Sequence, residues 1–522
     1  MKTIFYHGDI VTLTSQKPEA IVIEEGIIQK LGTEKEILSK VEKDTEVIDL
    51  KGKTLMPSFI DAHSHFSSVA NNLLQVSLQD CTTVQEIKNK LLMYQQDNQI
   101  EEGNWIIANQ YDHNRLPERK HITKQEIDQV LPNHPVVIQH QSGHCGVFNS
   151  KAMEELTITP DTPSPEGGKI EKQGGELTGY LEENAFLVNL KKVPLPTKES
   201  IVKAYQKAQE IYLSHGITTV QEGFMVKEMI PFYQELIHQN MLTIDLIAYL
   251  EINSEEEIKH AFPKQMKQYS HHVKIGGYKI FLDGSPQART AWMRSPYQGE
   301  KDYCGYSTMK TEEVENAVKL AVNNQMQLLA HCNGDKACEQ YIEAIATSSE
   351  IQNLRPVMIH AQLLGLDQLS LVKKYKIIPS FFVAHTYYWG DIHLKNFGET
   401  RAKSISPAGS ALAQKIRFTF HQDSPVIEPN MLETIWCAVQ RKTKGGVQLA
   451  KEETISVLEA IKAVTCHAAY QYFEENQKGT IEEGKLADLV ILDRNPLTSD
   501  PDQIKTIQVL ETIKEGKMVW HK

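Results

Sequence analysis

In Pro57-Ser-Phe-Ile-Asp-Ala-His-Ser-His65 a short run of strand-forming residues ends on two histidines two positions apart. Side chains i and i+2 of an extended strand leave the same face. His63 and His65 can therefore meet one metal ion at a strand end, although an HxH pair by itself arises by chance in many chains. Further along, the middle of the chain alternates apolar, β-type runs with helical segments. After residues 58–62 come 218–221, 243–250, 273–281, 327–330, 357–359, 377–383 and 417–420. Eight such runs with helices between them predict an α/β chain folded as a (β/α)₈ barrel.

The chemistry-bearing residues repeat one placement. His331 follows Gln327-Leu-Leu-Ala, His360 follows Val357-Met-Ile, and Asp423 lies just past Arg417-Phe-Thr-Phe-His-Gln. Each stands at the C-terminal end of a different predicted strand, and in a barrel those ends converge on the face where active sites form. Imidazole and carboxylate together suit zinc and related divalent metals. Asp423 also suits a general base, taking the proton of an attacking water and returning it to a leaving amine. Lys279, in Gly277-Tyr-Lys-Ile-Phe-Leu-Asp-Gly284, has two readings. It can pair with a nearby carboxylate. Alternatively, burial beside metal can lower its pKa, so that the neutral amine adds carbon dioxide and the carbamate bridges two ions. Arg289 and Tyr387-Tyr388-Trp389 follow the fourth and seventh strands, where they either line a substrate pocket or pack their own loops.

The gap between the first two strands, from about residue 66 to 217, exceeds the roughly 30 residues of a βα unit and must hold an ordered insertion, placed at about 81–200. Both ends of the chain read as short Val/Ile-rich strands. Residues 1–56 and 478–522 are therefore expected to build one small composite β-sandwich domain beside a barrel of residues 57–477. The formal net charge is −12 with no basic stripe, which argues against nucleic acid as a partner. No stretch reaches the roughly 20 apolar residues of a membrane span, and residues 1–16 lack a signal-peptide core. Seven scattered cysteines without a CxxC pair fit a reduced, cytoplasmic setting. The expected partner is a small-molecule substrate; a homo-oligomer is left open.

The ordered set of motifs resembles the amidohydrolase superfamily, and within it amidohydrolase family 3. The resemblance runs from Pro57–His65 through Gly143-His144, Asn149-Ser-Lys-Ala152, Gly216-Ile-Thr-Thr219, Lys279-Ile-Phe-Leu-Asp-Gly284, His331-Cys-Asn-Gly-Asp335, His360-Ala-Gln362 and Asp423-Ser-Pro-Val426 to Gly479-Thr-Ile-Glu-Glu-Gly-Lys-Leu-Ala-Asp488. It implies that His63, His65 and Asp423 bind one metal. It also implies that His331 and His360 bind a second, bridged by Lys279 if that lysine is carboxylated; His144, in the insertion, either reaches the site or is a solvent-facing or capping histidine. One or two ions, zinc first, are expected. The implied activity is cleavage of a non-peptide C–N bond by a metal-bound hydroxide, on a linear N-acyl or N-formyl amine. The alternatives are hydrolysis of a cyclic amide, deamination of an aminoheterocycle, or a non-catalytic regulatory role on the same fold. Ser58 and Asn333 depart from the family pattern without removing a ligand.

Overall fold

The computed structural model describes residues 2–194 and 196–522. Residues 1 and 195, within the ranges expected for the terminal domain and the insertion, lie outside the described residues. Each apolar run of the middle region overlaps one strand of an eight-stranded parallel sheet. The strands are β1 (Phe59–Ile60), β2 (Ile217–Met225), β3 (Asp245–Glu251), β4 (Val273–Phe281), β5 (Gln327–Cys332), β6 (Val357–His360), β7 (Ile378–Phe381) and β8 (Thr419–Phe420). Their order in the sheet is their order in the chain. Every neighbouring pair is parallel, so each connection is a crossover, and helices such as Thr311–Asn324 and Asp335–Ala346 supply it.

The sheet is curled. Ile60, Ala62, Ile247, Tyr249, Leu329, Val357, Ile359 and Ile378 belong to one apolar cluster, although β1, β3, β5, β6 and β7 are not all neighbours. Beyond the strands, His65 N donates to Ser424 O at 2.8 Å and Asp423 N to His63 O at 3.2 Å. The segments following β1 and β8 are thereby joined. Both strands are shorter than the runs that predict them. The β1–β2 register shifts at Ile217/Thr219, and after β8 the chain turns through Asp423 at φ +55°.

The two ends of the chain fold together. Lys2–Tyr6, Ala20–Glu24, Ile27–Gly32 and Thr45–Asp49 form a four-stranded sheet. Asp9–Ile10, Thr54–Pro57, Leu489–Leu492, Val509–Lys514 and Lys517–His521 form a five-stranded one. In the second sheet Thr54–Pro57 pairs antiparallel with Leu489–Leu492. Phe5, Ile21, Ile23 and Ile28 share a core with Leu55, Leu489, Ile491 and Ile513.

Buried charges tie this C-terminal segment to the starts of β3 and β4. Asp245 accepts from Lys478 at 2.6 Å and from Lys514 at 2.8 Å. Lys514 also reaches Asp488 at 2.9 Å, Lys478 reaches Glu474 at 2.8 Å, and Lys274 pairs with Glu474. All six side chains are buried.

Residues 68–207 form a second compact unit. Its six-stranded sheet runs in the order Gly168–Gln173, Glu176–Glu183, Cys145–Phe148, Val136–His140, Ile106–Tyr111, Val76–Ser77. The helix Val84–Asp97 begins in a capping box, in which Thr83 and Glu86 satisfy each other's backbone N–H, and it buries Ile87 and Leu91 in the core beneath the sheet. Among the described residues no helix is long and apolar enough to cross a membrane.

Candidate metal centre

The C-terminal ends of β1, β4, β5, β6 and β8 bring His63, His65, Lys279, His331, His360 and Asp423 together. Asp423 Oδ1 lies 3.3 Å from His63 Nε2 and 3.4 Å from His65 Nε2. A tetrahedral zinc with bonds of about 2.0–2.1 Å separates its ligands by about 3.3–3.4 Å, so these separations suit a shared ion. Asp423 Oδ1 is buried and accepts no hydrogen bond. A carboxylate oxygen left so would be costly without a cation, and the donor set therefore fits a divalent metal. His360 Nε2 is 3.9 Å from Asp423 Oδ2 and 3.1 Å from His331 Nδ1, which places a second pair of nitrogens beside the first group.

Neighbouring groups fix the orientation of the His63 ring. Gln221 Nε2 donates to Ala62 O at 3.0 Å and to the Tyr472 hydroxyl at 2.9 Å, and that hydroxyl donates to Asp61 O at 2.7 Å. The Gln221 amide oxygen therefore faces His63 Nδ1, at 2.5 Å. Nδ1 carries the proton, and the Nε2 lone pair points toward Asp423. The ring uses the space a side chain at 223 would fill: a Cβ on Gly223 would stand 2.7 Å from His63 Cε1 and 2.9 Å from Ser64 O. At the other end, His421 Nε2 is 3.1 Å from His360 Nδ1, and His421 Nδ1 is 2.9 Å from Ser380 Oγ. With protons on both Nδ1 atoms, His360 Nε2 is likewise left free to bind.

Burial and the Lys279 charge push His63 down to about 4 and His331 to about 3, so both rings are neutral at neutral pH. Burial pushes Asp423 up, but the adjacent His63, His65 and His360 rings outweigh it and hold the carboxyl well below its usual range. Burial lowers Lys279 to about 8. Its Nζ lies 3.3 Å from His63 Nε2 and 4.8 Å from the Phe281 ring centroid. Asp283 is not its partner. That carboxylate accepts instead from the backbone N–H groups of Trp292, Asn333 and Gly334, at 2.9, 2.9 and 2.7 Å.

The remaining candidates have local partners. Arg289 pairs with Glu300 at 3.0 Å and lies over the Tyr297 ring. The Tyr388 hydroxyl donates to Glu433 at 3.1 Å. Trp389 packs on Phe382 and His385. His144 belongs to the second unit, where its exposed ring is 3.1 Å from Glu183. Sequence reasoning passed over Gln221 and His421; it also passed over the buried pair His385 and His393, whose ring nitrogens are 3.1 Å apart.

Residues 46–520 match the model of a family described as the amidohydrolase family. The chain belongs to that family. It is a hydrolase of amidohydrolase type, acting on carbon–nitrogen bonds. N-substituted formamide deformylase of Arthrobacter pascens is 26% identical over 95% of this chain and 94% of its own. The Bacillus subtilis protein YtcJ is 26% identical over 100% of both chains. Among structures, a metal-dependent hydrolase from Pyrococcus horikoshii superposes with a TM-score of 0.76 at 26% identity, covering 96% of this chain and 99% of that one. The chain is thus a metal-dependent hydrolase of amidohydrolase type on an α/β fold with a curled parallel sheet.

Proposed function

We propose that this amidohydrolase cleaves a linear amide, an N-acyl or N-formyl amine, using one or two divalent ions, zinc first. The observation that carries the reading is Asp423 Oδ1, buried without a hydrogen bond between His63 Nε2 and His65 Nε2 at 3.3 and 3.4 Å. His63, His65 and Asp423 hold the first ion, and His331 and His360 the second. Lys279, as a carbamate formed by adding carbon dioxide and releasing a proton, would supply the anionic oxygens that two ions need between them. A divalent ion, when bound, supplies Lewis acidity toward water and toward the acyl oxygen. Asp423 accepts the proton of the attacking water and returns it to the leaving nitrogen. Gln221 keeps His63 in the tautomer that binds, and Gly223 leaves the space its ring occupies. Trp389, half-buried against Phe382 and His385, is suited to line the apolar part of a substrate.

In this reading the curled sheet closes as a (β/α)₈ barrel where His65 bonds Ser424. Residues 1–56 and 478–522 form a composite β-sandwich, and the insertion spans about 81–200. Seven free thiols support a reduced, cytoplasmic setting. The linear substrate rests on similarity to the Arthrobacter pascens deformylase.

The test is a panel of N-formyl and N-acyl amines, lactams and aminoheterocycles, assayed before and after chelation with metal content measured. Amine release from the linear amides, abolished by metal removal and restored by zinc, is the expected result. Action confined to lactams or ring amines would replace the linear substrate. Undiminished activity in metal-free protein would end the metal assignment.

Lys279→Ala tests the bridge. Two cations this close repel strongly, so an anion is needed between them, and the variant should fall from about two ions per chain to one or fewer. Short carboxylic acids should restore part of the activity. An unmodified Lys279 amine beside a single, fully occupied ion in wild-type crystals would decide for a mononuclear site.

A further inference from the structure

Three groups of metal-type side chains occur among the described residues: His63 with His360 and Asp423, Asp245 with His272 and Glu515, and Asp112 with His113 and His140. The first is the centre described above. In the second, the Lys478 and Lys514 ammonium groups already stand 2.6 and 2.8 Å from Asp245 and supply the positive charge. The third, wholly within the second unit, has no lysine or arginine paired with its carboxylate among the described residues; its ion-pair partners are histidines.

We propose that Asp112, His113 and His140 bind a divalent transition metal, zinc by preference, at the C-terminal ends of two neighbouring parallel strands. Ile106–Tyr111 and Val136–His140 pair with Tyr111 opposite His140, after a register shift between Ile138 and His140. The chain leaves the first strand at Asp112, which caps the short turn His113–Arg115. Three donor atoms then converge. His113 Nδ1 is 3.2 Å from His140 Nε2, His140 Nε2 is 3.5 Å from Asp112 Oδ1, and His113 Nδ1 is 4.0 Å from Asp112 Oδ1. The edge of a zinc tetrahedron is about 3.3–3.4 Å for bonds of about 2.0–2.1 Å. The three atoms approximate one face of it, and the partly exposed setting leaves the fourth position to water.

The surroundings hold the donors in place, as groups around a metal site do. Gln141 Nε2 donates to Asp112 Oδ2 at 2.6 Å, and the Asn114 backbone N–H and Nδ2 donate to Oδ1 at 2.9 and 3.0 Å. The His121 ring lies on that of His113, with centroids 4.0 Å apart. His140 Nδ1 is 2.9 Å from Ser142 Oγ; with the proton there, the Nε2 lone pair faces the other two donors. The Ser142 backbone N–H, 3.1 Å from the same Nδ1, favours the opposite tautomer, in which hydrogen bonds alone hold the group.

Metal counting separates the two arrangements. Full-length wild type, His113→Gln and His140→Gln are stripped with chelator, reloaded with zinc and dialysed. Each variant should then hold one zinc per chain fewer than wild type. His63→Ala, altered at the other centre, should keep that equivalent. Anomalous diffraction at the zinc edge from wild-type crystals should place a peak between Asp112, His113 and His140, and this readout does not depend on the variants folding. Equal zinc counts in wild type and both variants, or no peak there in crystals whose other centre is filled, would overturn the site.

Discussion

Asp423→Asn is expected to lower kcat by at least about 100-fold, within the roughly 10²–10⁴-fold that general base catalysis contributes. Asparagine keeps the size of the side chain and one oxygen, so the hold on a metal is weakened less than by alanine. What disappears is the proton acceptor. Among the described residues Asp423 is the one carboxylate placed against His63, His65 and His360 together, so no described neighbour takes over the task. Metal content and turnover have to be read on the same preparation. A variant that retains metal and loses the rate supports the base, and one that retains metal with near-normal kcat removes Asp423 from that role.

The largest effect on stability is expected at Asp245, far in sequence from any candidate ligand. Asp245→Ala strands Lys478 and Lys514 in the interior with fewer carboxylates. Breaking a buried ion pair from one side costs about 3–5 kcal/mol, so the variant should melt far below wild type or fail to accumulate as soluble protein. Asp245→Asn, which keeps the shape and one acceptor, should lose less. An unfolding free energy within about 0.5 kcal/mol of wild type, the size of an ordinary surface substitution, would contradict the assignment.

The same network sets a pH window. Burial raises the Asp245 pKa, but the Lys478 and Lys514 charges and the His272 bond outweigh it and leave the carboxyl well below the usual range. Its contribution is therefore present above the unfolded value of about 4 and lost as pH falls. Lys514 is shifted the other way. Burial lowers it, but Asp488 and Asp245 raise it further. Its contribution is present below the unfolded value of about 10.4 and lost as pH rises. Thermal melts across pH should show a plateau between these limits.

The strands of the parallel sheet were legible because each is a compact apolar run bounded by helical segments. The histidines at their ends were legible because residue type and position agreed. Their support was not. Gln221 is an unremarkable amide in the sequence, and its value comes from His63 and Tyr472, which lie 158 and 251 positions away. His421 did carry a signal, since His421-Gln-Asp423 repeats the two-residue spacing of His63 and His65. It lay just past the predicted strand 417–420, in the stretch quoted ahead of Asp423, and was given no role. Lys279 shows the limit of local reading. Asp283, four residues on, is the obvious partner by sequence, yet its oxygens are taken by backbone N–H groups. Arg289 and Tyr388 have the right types for substrate contact, but their partners Glu300 and Glu433 could not be found without the fold.

The pairing of Thr54–Pro57 with Leu489–Leu492 has a cost during synthesis. The early strand leaves the ribosome about 430 residues before its partner, a delay of roughly 20–90 s at translation rates of about 5–20 residues per second. Throughout that interval Leu55 and Met56, fully buried in the finished protein, have no partner strand from the C-terminal end to cover them. Apolar residues uncovered for that long are open to association with other unfinished chains, and a chain cut short before Leu489 lacks the strand that pairs with Thr54–Pro57.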